Sequence, residues 1–253
     1  MGRAGRQCLH ANLPRIKANY APDIFIANGE NLAGGYGITE KLFKELISDY
    51  GVDVVTTGNH WHDQPETKNF YRSTSQLLVP ANMYNVSELQ AGYCVALTKT
   101  KVPYAVINLT GRLFMKGNNR CPFEYLDKIL ANIPSGIKVR VVDFHGEATS
   151  EKQALAHYAA GRVSLIYGTH THCPTADERI IAGKTGYLTD VGMTGAYDSV
   201  IGVEVALSLQ SFLSPVRPRF KPAEGDPWLC AVLATIDTAT GYCTAIERIK
   251  WTD

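Results

Sequence analysis

Six short, β-branched apolar runs punctuate this chain: IFIAN (24–28), DVVTTGN (53–59), YAVINL (104–109), KVRVVDFH (138–145), VSLIYGTH (163–170) and GYLTDVG (186–192). Segments of helical pattern separate them. Parallel strands need long crossovers, and strands buried on both faces lose their polar alternation. This order therefore confines the chain to an α/β fold with a largely parallel sheet flanked by helices. Helix boundaries can be read locally. Thr39 is placed to cap TEKLFKELISDY, Ser150 with Gln153 predicts a capping box opening SEKQALAHYAA, and Gly161 is placed to stop that helix. WLCAVLATI (228–236) and YCTAIERI (242–249) flank the turn-rich DTATG and predict an antiparallel hairpin that extends the sheet at an edge. The four prolines of FLSPVRPRFKPAEGDP (212–227) predict an irregular crossing segment.

At 253 residues and 45% hydrophobic content, the chain suffices for one sizeable core, so a single domain over 1–253 is expected. A formal net charge of +1 with no Lys/Arg run argues against a duplex-tracking surface or a polybasic membrane patch and leaves a nucleotide-sized substrate open. MGRAGRQCLHANLPRIK lacks the apolar core of a signal peptide, and no stretch approaches 18 uninterrupted apolar residues, so a cytoplasmic protein is expected. Six cysteines without a CxxC pair speak for reduced, mostly buried thiols. No heptad pattern announces an oligomer, and a homo-oligomer stays open.

The chemistry stands just beyond the strands, in NGEN (28–31), GNHWHD (58–63), DFHGE (143–147), GTHTH (168–172) and TDVG (189–192). Carboxyl ends of strands in an open α/β sheet are where ligands bind, so these groups are expected to converge. One such histidine would be unremarkable; several clusters of His, Asn and Glu point to a metal centre. His170 and His172 are two apart and reach one centre together if the chain stays extended. A donor set of imidazole, carboxylate and amide oxygen suits Mn²⁺, Fe²⁺ or Zn²⁺, and Mg²⁺ tolerates fewer imidazoles. A carboxylate such as Glu30 can bridge two cations, the arrangement used in phosphoester hydrolysis. His60, beside Asn59, is assigned the catalytic role of proton donor to the leaving oxygen, with a prop for the ligand loop as the alternative. His62 reads as a solvated loop residue. Arg112 meets either a phosphate or a carboxylate, and Asp143, Glu147 and Asp190 are partners for the imidazoles or ordinary turn residues. Gly34, Gly35 and Gly37 match neither a P-loop nor a dinucleotide fingerprint. Substrate-contacting residues are not assigned.

At NGENLAGGYGIT, VDVVTTGNH, VDFHGEATSEK, GRVSLIYGTHTHCPTADERI and TDVGMTGAYDSVIG the chain resembles the YmdB-like branch of the calcineurin-type metallophosphoesterase superfamily, over essentially its whole length. The resemblance implies a four-layer α/β sandwich and a phosphodiesterase with two divalent metal ions, iron or manganese before zinc or magnesium, acting on small 2′,3′-cyclic nucleotides such as 2′,3′-cAMP. It implies that Glu30 bridges, that Asn59, His145 and His170 complete one cation's set, and that Asn31 and His172 serve the other. It gives His60 the leaving-group role. Family members open with a strand ending in Gly-Asp, whose Asp binds the second cation. Met1 to Arg6 resembles the turn that follows, so the chain is expected to start just after that strand, leaving unpaired backbone on its neighbours and an incomplete second metal site. The competing reading from a different class is a catalytically impaired phospho-ligand-binding or signalling protein. A zinc amide hydrolase ranks last, because no HExxH is present.

Overall fold

The computed structural model describes residues 1–252. In chain order the elements are α1 (Gly2–Tyr20), β1 (Ile26–Asn28), α2 (Glu40–Ser48), β2 (Val54–Thr56), α3 (Thr67–Phe70), β3 (Tyr93–Leu97), β4 (Pro103–Thr110), α4 (Pro122–Asn132), β5 (Val139–His145), α5 (Thr149–Ala159), β6 (Leu165–Thr169), β7 (Arg179–Ile181), β8 (Thr185–Leu188), β9 (Gly195–Ala196), α6 (Val205–Leu213), β10 (Pro227–Ile236) and β11 (Cys243–Thr252). The largest sheet has the order β3-β4-β5-β6-β8-β7. Its four central strands run parallel, and β3 and β7 are antiparallel edges.

Alternation of side chains divides the core into layers. Ile107, Leu109, Val142, Phe144 and Ile166 pack beneath α4 and α5 through Leu126, Ile129 and Leu155. On the opposite face, Val141, Leu165 and Tyr167 meet Ile26 of β1 with Val232, Ala234 and Ile246 of the C-terminal hairpin. Beyond this second β layer lie α1 and α2, which contribute Cys8 and Ile16 against Leu229 and Ile249, and Phe43 and Leu46 beside Val55. Helix, sheet, sheet, helix is the four-layer arrangement that the resemblance implies.

The hairpin is antiparallel as the sequence predicts, but it does not extend the large sheet at an edge. It forms a separate sheet in the order β11-β10-β9. The reason is visible in β10: Leu229, Ala231 and Leu233 face α1, while Val232 and Ala234 face the large sheet. A strand whose two faces feed two different cores belongs in a middle layer.

Local signals hold in part. The Thr39 hydroxyl accepts from Leu42 N and caps α2, and Gly161 takes φ +78° after α5. The Ser150–Gln153 capping box does not form: α5 starts at Thr149, Ala148 is its N-cap, and no side chain caps it. That earlier start puts Ser150 inside the first turn, beyond the geometry a cap requires. Of the irregular segment expected over 212–227, residues 214–226 lack regular structure, whereas Phe212 and Leu213 close α6 and Pro227 opens β10.

Two strand edges stay open. β1 pairs only with β2, and on its second side β10 pairs with β9 only at Pro227 and Trp228. A cavity of about 620 Å³ lies between these edges, lined by apolar groups that include Ile26, Val141, Tyr167 and Val232, and it reaches Glu30, Asn31, His170 and His172.

Candidate metal centre

Strand ends deliver every sequence-predicted ligand to one region. NGEN leaves β1, GNH follows β2, DFH closes β5, and GTHTH leaves β6. Glu30 is buried, with Oε2 3.1 Å from His145 Nε2 and Oε1 accepting from the backbone N–H of His60 at 2.8 Å. The same His145 Nε2 lies 2.9 Å from Asn59 Oδ1 and 3.0 Å from His170 Nδ1. Glu30, His145 and His170 form the one group of three or more His, Cys, Asp or Glu found suited to a cation among the described residues.

An imidazole nitrogen makes one hydrogen bond, yet three polar atoms crowd Nε2 of His145. Thr169 Oγ1 donates to Asp143 and therefore accepts from His145 Nδ1, which puts one ring hydrogen on Nδ1; Nε2 meets its neighbours with a lone pair in the neutral ring and with an N–H in the charged one. Donors bound to a cation at about 2.1 Å and at right angles stand roughly 3 Å apart, which is the spacing seen here. The donor set fits a divalent cation on Glu30, Asn59, His145 and His170. Gly58 permits the approach, since a Cβ there would collide with the His145 ring and the Glu30 carboxylate.

A second pair stands beside the first set. His172 Nε2 lies 3.1 Å from the Asn31 amide, and its Nδ1 donates to the carbonyl of Ile201 at 2.7 Å. His170 and His172 do not reach one centre along an extended chain. Both adopt positive φ, +107° and +66°, just after β6 ends. The left-handed turns send His170 to Glu30 and His145, and His172 to Asn31. Non-glycine residues held in this region are strained, and surrounding structure must impose it. Here Asp190 imposes it, accepting from Thr171 N and Gly192 N while pairing with the buried Lys152 at 2.7 Å. Replacing Lys152 with methionine strands a buried carboxylate, and urea unfolding is expected to show a loss of about 3–5 kcal/mol. A loss below about 1 kcal/mol would mean that backbone donors alone satisfy Asp190.

Burial works against a charged His145, but Glu30 and Asp143 outweigh it and raise its pKa, so a cation would take the place of a proton on this ring. Burial works against the Glu30 carboxylate, but His145 and the His60 N–H outweigh it and hold its pKa down to about 2. Burial, with the His145 charge next in weight, lowers His170 to about 4, so its ring is neutral at pH 7. Burial also lowers His172, with its bond to Ile201 and the Glu30 charge opposing.

The scan against family models matches residues 1–249 to the model described as YmdB-like protein. The chain belongs to the YmdB-like family. It is 40% identical, over all of its length and 94% of the relative's, to the Bacillus subtilis protein named 2′,3′-cyclic-nucleotide 2′-phosphodiesterase. Among solved structures, a hypothetical protein of Thermus thermophilus matches with TM-score 0.89 at 34% identity, covering 100% of this chain and 96% of that one. A Mycoplasma pneumoniae structure titled a novel phosphatase matches with TM-score 0.88 at 30% identity, covering 99% and 90%.

In this YmdB-like chain several supporting residues emerge that the sequence did not single out. Asp63 Oδ2 sits 2.7 Å from His60 Nδ1, orienting the ring and leaving Nε2 as its remaining group. Asn28 donates to Asp143 and accepts from Glu30 N, and Thr169 relays Asp143 to His145. The signals lay inside quoted motifs: the acid three residues after His60, the Asn opening NGEN and the Thr within GTHTH. Glu147 meets His170 Nε2 at 3.1 Å, Asp143 reaches His145 through Thr169, and Asp190 holds the His170–His172 loop, as partners for imidazoles should. The Arg112 side chain is exposed; its backbone N–H, with that of Leu113, is what binds the Glu151 carboxylate. His62 is not solvated: it is half-buried against Trp61, its Nδ1 has no partner, and burial lowers its pKa.

Proposed function

We propose that this chain, a phosphoesterase by family, hydrolyses the phosphodiester of small 2′,3′-cyclic nucleotides such as 2′,3′-cAMP at a dinuclear centre, and does so in the cytoplasm. The convergence of Glu30, Asn59 and His170 on His145 Nε2 is the observation that carries the reading. Glu30, Asn59, His145 and His170 hold one cation; Asn31 and His172, with Glu30 shared, hold the other. Iron or manganese suits this oxygen and imidazole set best, with zinc and magnesium as the alternatives. When bound, such a pair supplies Lewis-acid stabilisation of the attacking and leaving oxygens.

The chain's own residues do the rest. Asp63 holds the Nδ1 side of His60, so that Nε2 gives a proton to the departing ribose oxygen. Burial of Glu30, His145 and Asp143 keeps water from screening the site, and the Asp143–Thr169 relay keeps the His145 ring from rotating. Half-exposed His60 and Asn59 stand at the side open to a small substrate.

Metal-dependent release of nucleoside monophosphate from 2′,3′-cAMP, abolished by a chelator and restored by Mn²⁺ or Fe²⁺, tests the reading. Turnover unaffected by chelation would remove the metal mechanism. His60→Ala is expected to lower kcat by about 10²–10⁴-fold with metal content unchanged. Loss of metal in that variant would make His60 a prop of the ligand loop instead. The second reading, a phospho-ligand-binding or signalling protein, is favoured by one observation: beside the shared Glu30, the second set offers only Asn31 and His172, where the first offers Asn59, His145 and His170. Nucleotide binding without turnover at full metal loading would support it.

A further inference from the structure

We propose that Phe114 is the platform on which the base of the nucleotide substrate stacks, an inference that rests on the nucleotide reading above. Phe114 is 87% exposed, more than any other large apolar side chain among the described residues. Its φ is +61°, a left-handed conformation that a bulky side chain adopts only where its surroundings impose it. The chain is therefore strained in a way that holds an aromatic ring out in water.

The loop carrying that ring is fixed at its root. The backbone N–H groups of Arg112 and Leu113 donate to the buried Glu151 carboxylate, and Asn119 Nδ2 donates to the carbonyl of Gly111. Met115, the next residue, is buried. A ring presented from so rigid a base has little freedom left to lose when a ligand settles on it.

The loop stands beside the metal centre. It leaves the carboxyl end of β4, the end at which α/β sheets hold ligands. Gly111 N donates to the His145 carbonyl at 2.9 Å, and Glu147, two residues past His145, meets the His170 ring. On its other flank, Asn108 Oδ1 accepts from Thr57 N at 3.1 Å, close before Asn59 and His60 in the chain. Phe114 is three residues beyond Gly111, so the two Cα atoms are at most about 11 Å apart, within a nucleotide's length.

Charge suits an anionic nucleotide. Arg112 and Lys116, both exposed, flank Phe114, and residues 111–119 include no acid. An aromatic face among cations binds nucleotides through the ring that every base possesses, with little regard to which base it is. Tyr36 is the competing platform: it is 40% exposed, but its ring is already engaged edge-on with His60 at 5.7 Å.

Calorimetric titration of the Mn²⁺-loaded full chain with adenosine 3′-monophosphate and with inorganic phosphate tests this. Phe114→Ala is expected to weaken binding of the nucleotide by about 10–100-fold, the worth of one stacked base, and to leave binding of inorganic phosphate as in the wild type. KM for 2′,3′-cAMP should rise by a similar factor, and Phe114→Trp should restore both quantities. Nucleotide binding that survives Phe114→Ala would overturn the proposal. So would equal losses for nucleotide and phosphate, a selective nucleotide loss in Tyr36→Ala instead, or a wild type that binds the two probes alike. Base-dependent binding that Phe114→Ala removes, in a wild type unable to turn over 2′,3′-cAMP, would sink the phosphodiesterase reading and leave the platform standing.

Discussion

Replacing His170 with alanine is expected to strip the cation held by Glu30, Asn59 and His145 and to bring hydrolysis below detection, while leaving the fold intact. His170 Nδ1 is one of the donors converging at the His145 ring, and no neighbouring side chain stands ready to take its place. The fold is expected to survive because the His170 ring is about a quarter exposed, in contrast to His145 at 0% and Glu30 at 2%. Truncation leaves the backbone strain at φ +107° as it was, since alanine carries the same Cβ as histidine. Elemental analysis should then show less metal per chain, with a thermal melt close to that of the wild type in chelator. Unchanged metal content and activity would take His170 out of the site. An expected intermediate is informative too: Glu147→Gln removes only the group that orients His170 through Nε2, and losses of 10–100-fold in metal affinity are usual for such partners.

Much of this site was legible because its chemistry is concentrated in short runs at strand ends. Asn59, His145 and His170 are each delivered by a motif that follows or closes a strand, and the periodicity that marks the strand also marks where the motif emerges. What the sequence could not show is how the chain bends after the strand. Extended geometry would have put His170 and His172 on one face, but two left-handed residues separate them, held by Asp190 and Lys152 from other elements. Layering was hidden for a similar reason. The hairpin was visible as two alternating runs, yet whether it flanks the large sheet or covers it depends on what contacts each face of β10, which is tertiary information. Ser150 and Gln153 fit a capping pattern, and a two-residue shift in the helix start was enough to defeat it.

Fusing an extended apolar segment ending in Gly-Asp ahead of Met1 is expected to tighten binding of the second cation, the one assigned to Asn31 and His172. The open edges of β1 and β10 border the same cavity, whose walls are Ile26, Val141, Tyr167 and Val232. A strand entering there would gain hydrogen bonds on both sides and an apolar bed on its faces. About seven residues would run ~23 Å, enough to follow β10 along most of its free edge. The direction of entry is set by the ends. Met1 lines the cavity, its amino group donates to Thr194 O, and Gly2 N donates to Asn31 O at 2.8 Å. The charge of that amino group bears on His172 and opposes its protonation, which puts the fusion point close to the Asn31–His172 pair. A carboxylate delivered to this spot supplies the second set with an anionic donor of its own, replacing a buried amine that desolvation already holds down to about 5. The same segment with Asn in place of Asp separates the two contributions: both fusions should raise the melting temperature through edge pairing, and only the Asp form should hold the second cation more tightly. A second cation held as tightly without the fusion would mean that Glu30, Asn31 and His172 suffice; no tightening in the Asp fusion would mean that the cavity does not steer a strand toward the metal centre.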